Sequence, residues 1–242
     1  MQISVVLPAY NEADNLPVVV PLCLSILRER FSRFELVVVN DGSRDATAQV
    51  LDTLRESAPE LRVVTHEINR GYGAALRSGF SAATGDLLFF MDSDGQFDLR
   101  EIDRLLPLMR DADAVLGYRA RRSDPPLRLL NALAWNRLVR LCFGLRVRDI
   151  DGAFKLFRRS VVQSLPLTSG GAMINTELLV RLWRSGARLR EVPVSHFPRI
   201  HGNPTGARLS VILRAFGELF AFRRQLLAEE TTIAQRKTAE LP

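Results

Sequence analysis

The stretch Leu87–Gln96, LLFFMDSDGQ, limits the folds open to this 242-residue chain more than any other. Five apolar residues, Leu87 to Met91, stop abruptly at Asp92-Ser93-Asp94-Gly95. A short apolar run bounded this way reads as a strand buried on both faces, which belongs in a parallel sheet covered by helices. In open sheets of that kind, ligands bind beyond the carboxyl ends of the strands. The sequence therefore places two carboxylates, two residues apart, where a buried strand leaves the core. Gly95 lets the backbone bend away, so Asp92 and Asp94 can turn to the same side. Two unpaired carboxylates that close repel each other and are costly to desolvate. A hard divalent cation removes the conflict, and Mg²⁺ typically takes one or two carboxylates plus substrate phosphate oxygens. The pattern thus reads either as an Asp-x-Asp site for a metal and a nucleotide diphosphate or as a solvated Asp-Ser-Asp-Gly turn.

The neighbouring stretches repeat the alternation. Strands are predicted at Ile3–Leu7, Glu35–Asn40, Leu61–Thr65, Leu87–Met91 and Ala114–Tyr118. Helices are predicted between them at about Asp14–Arg30 and Asp45–Ser57, from the stretch Asn69–Gly73 to about Ala83, and at Leu99–Met109, the first with Asn11 or Asp14 as its cap. Pro17 and Pro21 predict an irregular start to that helix. Strands alternating with helices of this length predict a mostly parallel, doubly wound α/β sheet. Beyond Arg119 the pattern changes. A basic loop with two prolines leads to an amphipathic helix, Leu127–Phe143; a turn and strand follow in Asp149–Phe157; the Ser169-Gly170-Gly171 loop precedes a helix from Asn175 to Ser185. Leu189–Val194 is a further strand, and Leu209–Leu227 a helix carrying Val211, Ile212, Phe216, Leu219 and Phe220 on one face. The expectation is one domain over residues 1–228, with residues 1–119 its nucleotide-and-metal half, 120–228 its acceptor half, and 229–242 a disordered tail.

Several classes are excluded by what the sequence lacks. It has no apolar run of about 18 residues to cross a membrane, and its first residues have no basic leader region. Cys23 and Cys142 lie in apolar helical contexts and read as reduced core thiols, and no His/Cys cluster has zinc spacing. The net charge is +6 and nearly all the basic residues are Arg. Eight Arg stand against one acid, Asp124, between Arg119 and Arg148, which points to a phosphate-bearing or anionic-surface partner. No recognition motif or aromatic stacking pattern supports nucleic acid. Trp135 and Trp183, among Leu and Val, are expected in the core.

Four loops should gather on one edge of the sheet: Pro8-Ala9-Tyr10-Asn11-Glu12, Asp41-Gly42-Ser43, Asn69-Arg70-Gly71-Tyr72-Gly73, and Asp92-Ser93-Asp94-Gly95-Gln96. Glu12, Asp41 and Asp92 suit ribose hydroxyls or base N–H groups, since a carboxylate accepts two hydrogen bonds. Gly71 and Gly73 would let backbone N–H groups approach a phosphate at a helix N-terminus. The G-x-G-x-x-G and G-x-x-x-x-G-K-[ST] fingerprints are both absent. Each loop alone is also ordinary turn chemistry; four together argue for a nucleotide.

VVLPAYNEADNL, VVVNDGSRDAT, NRGYGAALRSGF and GDLLFFMDSDGQFD, in this order, resemble glycosyltransferase family 2. MDSDGQFD, then LGYR, then RDIDGAFKLFRR, is similar more narrowly to the dolichyl- and polyprenyl-phosphate mannose or glucose synthases. The resemblance implies a GT-A fold, a nucleotide-sugar donor, Mg²⁺ or Mn²⁺, and inversion at the anomeric carbon. It implies that the Pro8–Glu12 loop and Asp41 hold base and ribose, and that Arg70 and Gly71 lie near the donor. It implies that Asp92, Asp94 and Gln96, with Ser93 between, bind metal and diphosphate, and that Arg119, Arg128 and Arg199 meet an acceptor phosphate. The loop Arg199-Ile200-His201-Gly202-Asn203-Pro204-Thr205 departs from the family's R-x-x-G-x-S-K pattern, lacking its Ser-Lys pair.

A phosphate acceptor, already anionic, needs positioning by Arg rather than a strong base. A hydroxyl acceptor needs a carboxylate base, for which Glu177, Asp149 and Asp151 are candidates. For Glu177 the alternative is an acid that simply favours a helix start. The leading expectation is transfer of one sugar to a polyprenyl phosphate, catalysed by Asp94, Arg119 and Glu177 at the cytoplasmic face of a membrane. That implies peripheral membrane contact, through the C-terminal helix or a membrane partner. Transfer to a glycan or small-molecule hydroxyl, and a non-catalytic nucleotide-sugar or anionic-lipid binding module, are the alternatives.

Overall fold

The computed structural model describes residues 2–120, 126–199, 201–202 and 209–239. Seven strands form one sheet: β1 (Ile3–Ala9), β2 (Phe34–Asp41), β3 (Leu61–His66), β4 (Leu87–Met91), β5 (Ala114–Arg119), β6 (Phe154–Arg158) and β7 (Leu189–Val194). Their order is β3-β2-β1-β4-β6-β5-β7. Every pairing is parallel except those of β6, which runs against both β4 and β5. The mixed α/β architecture with a mostly parallel sheet is the expected one. β4 occupies its predicted span and is buried at every residue, as a run without polar alternation must be.

The helices are α1 (Leu16–Arg30), α2 (Thr47–Glu56), α3 (Tyr72–Ala82), α4 (Pro126–Phe143), α5 (Arg159–Gln163), α6 (Ile174–Arg184) and α7 (Leu209–Ala239). Three expectations need correction. The helix predicted over Leu99–Met109 is two short 3-10 segments, Leu99–Arg104 and Leu106–Arg110; Pro107 cannot supply the backbone N–H that a continuous helix needs. Neither Asn11 nor Asp14 caps α1; it starts at Leu16, and the side chain of Asn15 is committed elsewhere. The tail expected to be disordered from residue 229 is helical as far as Ala239, and Glu229 is anchored by an ion pair with Arg181 at 3.0 Å.

The core runs along both faces of β1, β2 and β4 and continues under β5 and β6. Phe89 meets Phe154 edge to face with centroids 4.7 Å apart, and Phe90 stacks on Phe157 at 6.1 Å. These contacts fasten the reversed strand to its neighbour. Cys23 is buried and its thiol is pushed up to about 12 by that burial, as expected of an inert core cysteine. Trp135 packs against Phe216 of α7, but Trp183 is 48% exposed, contrary to expectation.

Candidate functional site

The parallel strands β1, β2, β4 and β5 all leave the sheet at one edge, and the loops that follow them meet there. Asn11 takes the left-handed conformation (φ 55°). Its N–H donates to Ser43 Oγ (3.0 Å) and its Oδ1 accepts from the Arg44 N–H (2.8 Å), joining the loops after β1 and β2. Ser93 Oγ donates to the Pro8 carbonyl (2.8 Å), tying the Asp-Ser-Asp turn to the end of β1. Asp92 and Asp94 therefore flank a residue anchored in the core.

Asp92 Oδ1 accepts from the Tyr72 hydroxyl (2.9 Å). Burial, and then the charge of Asp94, push the Asp92 carboxyl up to about 7. Burial and the neighbouring Asp92 likewise hold Tyr72 well above the ordinary phenol range. Asp94 Oδ1 accepts from the Gln96 N–H (3.1 Å). Its Oδ2 faces Arg199 Nη1 (3.3 Å), while Arg199 Nη2 donates to Glu12 Oε1 (2.5 Å). One guanidinium thus bridges the acid after β1 and the second acid after β4. Four further hydrogen bonds hold it there. Gln96 and Phe197 exchange two hydrogen bonds, Phe197 N–H to the Gln96 carbonyl (2.9 Å) and Gln96 Nε2 to the Phe197 carbonyl (3.1 Å). Asn15 receives the His201 N–H on Oδ1 (3.1 Å) and donates to Glu12 Oε2 (2.5 Å).

These carboxylates suit a divalent cation. Asp92 and Asp94 are hard oxygen donors on one turn, their mutual repulsion is visible in the raised Asp92 carboxyl, and a side-chain cation already stands against Asp94. Among the described residues no group of three or more His, Cys, Asp or Glu could hold a metal. The set is one for a cation that completes its shell with substrate oxygens.

Other expected site residues have partners within the protein. Asp41 is 2% exposed; Oδ1 accepts from His66 (2.6 Å) and from the Arg70 N–H (2.9 Å), and Oδ2 from the Gly71 N–H (2.8 Å). With three of about four acceptor positions filled, it anchors the loop that carries Arg70. The Gly71 N–H is spent on Asp41, and the N–H groups of Gly73 and Ala74 donate to the Gly170 carbonyl (2.8 and 3.2 Å), so these amides do not face an open phosphate site. The glycines are there for close approach. A Cβ on Gly71 would lie 2.5 Å from the Gly170 carbonyl oxygen, and one on Gly73 2.5 Å from that of Ser169. Tyr10 is 39% exposed at the rim and Arg70 is exposed. Gln96 spends its amide nitrogen on Phe197.

Glu177, expected as a base, is held by the loop before its own helix. It is fully buried, and its carboxylate accepts from the Thr168 and Ser169 N–H groups (3.0 and 2.7 Å), the Thr168 hydroxyl (3.2 Å) and Arg181 Nε (3.0 Å). That leaves it no face for an acceptor; it secures the loop that packs on Gly71 and Gly73. Arg119 is held at the end of β5 by Asp149, which takes Nε (2.7 Å) and Nη2 (2.8 Å) as a fork; Nη1 is not engaged by that carboxylate. The Arg128 side chain, Arg121 and Arg122 lie outside the described residues. Sequence reasoning missed Tyr72, Asn15 and Lys155. Tyr72, set between the two glycines of NRGYG, offered the one local signal.

The edge defined by these loops, with paired acids after the fourth strand of a mostly parallel sheet, is that of a GT-A glycosyltransferase. The family model "Glycosyl transferase family 2" matches residues 4–165, and the chain belongs to that family. It is 34% identical over 209 residues to the glycosyltransferase AglD of Haloferax volcanii, covering 82% of this chain and 34% of that protein. It is 34% identical over 166 residues to the undecaprenyl-phosphate 4-deoxy-4-formamido-L-arabinose transferase of Pectobacterium carotovorum, covering 67% of this chain and 50% of that one. The chain thus spans only a third to a half of these two relatives. It matches 85% of the undecaprenyl-phosphate mannosyltransferase of Micrococcus luteus, at 29% identity over 210 residues and 82% of this chain. Among solved structures, glucosyl-3-phosphoglycerate synthase from Mycobacterium tuberculosis shares the fold. Its TM-score is 0.70 at 22% identity over 91% of this chain and 79% of that one. Further structures of that synthase contain Mn²⁺ or Mg²⁺ with uridine diphosphate.

Proposed function

We propose that this family 2 enzyme transfers one sugar, with inversion, from a nucleotide-sugar to a polyprenyl phosphate. Glu12, Asp92 and Asp94 take the donor side, and Arg119 the acceptor side. The observation that carries the reading is the placement of Arg119 relative to the paired acids. β4 and β5 point the same way with only β6 between them, so Asp92 and Arg119 leave the sheet at one edge. Two strand spacings put their main chains roughly 10 Å apart, room for a sugar between a diphosphate on one side and an attacking phosphate on the other. The names of the Pectobacterium and Micrococcus relatives support the lipid-phosphate acceptor.

A phosphate oxygen attacks C1 without prior deprotonation. The chain's task is then to grip that phosphate through Arg119 and hold it in line with the leaving group. When bound, Mg²⁺ or Mn²⁺ on Asp92 and Asp94 would offset the charge of the departing nucleoside diphosphate. The occupied state of Glu177, and the pairing of Asp149 with Arg119, count against a hydroxyl acceptor, which needs a free carboxylate base.

Peripheral membrane contact fits the surface. Leu130, Leu133 and Leu141 on α4, and Phe216, Phe220 and Leu227 on α7, are exposed large apolar side chains. Exposed Arg137, Arg140, Arg223 and Arg224 accompany them. No helix among the described residues is long and apolar enough to cross a membrane. Apolar stripes bordered by Arg suit the cytoplasmic face of an anionic bilayer. Calorimetry with GDP-mannose and UDP-glucose, with Mn²⁺ or EDTA, followed by turnover on polyprenyl phosphate, tests the function. If no donor binds in the presence of metal, the reading fails.

A further inference from the structure

Lys155 is the second residue of β6 and sits in mid-sheet with no exposed surface, between register partners Phe90 of β4 and Leu116 of β5. Phe154, Leu156 and Phe157 around it are core residues. An ammonium there is costly to bury, and an aliphatic side chain would fill the same space without that cost. Its Nζ donates to the carbonyls of Ile150 (3.0 Å) and Gly152, and lies 5.3 Å from the centroid of the Phe90 ring. Both carbonyls belong to the turn that opens with Asp149. The Gly152 N–H donates to Asp149 Oδ1 (3.1 Å), and a Cβ on Gly152 would lie 2.9 Å from Asp149 Oδ2 and 3.1 Å from the Gly117 carbonyl oxygen. The turn therefore leaves Asp149 little slack, and Asp149 in turn takes three donors from Arg119: its backbone N–H (3.2 Å), Nε (2.7 Å) and Nη2 (2.8 Å).

We infer that Lys155 is a positioning residue: it fixes the Asp149–Gly152 turn and, through Asp149, the direction in which Arg119 presents its guanidinium to an anionic acceptor. The inference rests on the reading of Arg119 as the acceptor-side cation. Without the ammonium, two buried carbonyls lose their donor and the turn must open to satisfy them. The fork on Arg119 then loosens, while the Asp92–Ser93–Asp94 turn, held separately by Ser93 on Pro8, does not move. The charge also sits in a balanced setting: burial lowers the ammonium to about 8, Asp149, Asp151 and Asp92 favour it, and Arg119 opposes it.

The test uses the whole chain and the variants Lys155→Met, Asp149→Asn, Arg119→Lys and the Lys155→Met/Arg119→Lys double. Donor affinity with Mn²⁺ is read by calorimetry, and acceptor KM and kcat by turnover on polyprenyl phosphate. Lys155→Met should raise acceptor KM about tenfold, the size of effect expected when a positioned group is displaced by a fraction of an ångström, and leave donor Kd within about twofold. In the Arg119→Lys background the same change should add less than about twofold, because the two residues act on one contact. Asp149→Asn, nearly isosteric, should give the same signature and carries the test if Lys155→Met does not fold. Equal losses in donor affinity and acceptor KM, or additive effects in the double variant, overturn the inference and leave Lys155 a structural residue. If Arg119→Lys itself leaves acceptor KM unchanged, the acceptor reading falls and takes this inference with it.

Discussion

Metal binding to this site should be coupled to proton release, and the size of the coupling follows from Asp92. Its carboxyl is pushed up to about 7 by burial and by Asp94. A cation binds the ionised form, so the fraction of sites ready for it falls from about nine-tenths at pH 8 to about one-tenth at pH 6. The apparent affinity for Mn²⁺ should therefore weaken about tenfold over that range, about 1.4 kcal/mol. At pH 6 about one proton should be released per metal bound, and at pH 8 almost none. Calorimetry in buffers of different ionisation enthalpy measures both quantities. The effect on the fold is opposite in sign. A carboxyl raised above its unfolded value of 3.8 contributes stability that is fully present below about pH 4 and lost as pH rises through about 7. The metal-free protein should thus lose stability across that window relative to Asp92→Asn, and metal should restore it. A flat Mn²⁺ affinity between pH 6 and 8, with no proton released, would refute the reasoning.

Arg199 should compete with the metal, since its guanidinium bridges Glu12 and Asp94; Arg199→Ala should bind Mn²⁺ alone severalfold more tightly, measured by calorimetry without donor. Glu177→Gln should act on the fold, because it leaves buried Arg181 without one of its two carboxylate partners and loosens the Thr168–Ser169 amides. A destabilisation of about 3 kcal/mol is expected by denaturant unfolding, and intact stability with abolished turnover would instead restore Glu177 as a base. Leu133→Glu with Phe220→Glu should reduce co-sedimentation with anionic phospholipid vesicles while leaving donor affinity unchanged; undiminished sedimentation would remove these helices from the membrane proposal.

The first half of the sheet was legible because its signals are local. An unbroken apolar run such as Leu87–Met91 has few alternatives to a buried strand, and the acids after β1, β2 and β4 are placed by the strands that precede them. What the residues do once placed was less legible. Asp41 and Glu177 looked like ligands or bases because carboxylates at strand ends and helix starts commonly are. Their actual partners, His66 with the Arg70–Gly71 amides and the Thr168–Ser169 amides, are settled by tertiary contacts that no spacing encodes. Arg199 was expected beside an acceptor phosphate; no spacing signalled that its loop lies over Glu12 and Asp94 through the Gln96–Phe197 pairing. Lys155, in FKLFR, gave no sign of function, since a lysine within a strand pattern ordinarily marks a solvent face.

The reversed strand also dictates an order of assembly. β3, β2, β1 and β4 come from the first 91 residues and pair with one another in that order, so that part of the sheet can form as its chain is made. The outer edge of β4, five wholly buried residues, is covered only by β6, whose residues come more than 60 positions later. Until then a long stretch of synthesis passes with an apolar, flat edge exposed, the kind of edge that recruits strands from other chains. A fragment ending after Arg119 should retain the donor-side strands and aggregate through β4, as centrifugation and dye binding would reveal. The strand whose leading turn positions Arg119 is then also the one whose arrival makes the nascent protein safe from its neighbours.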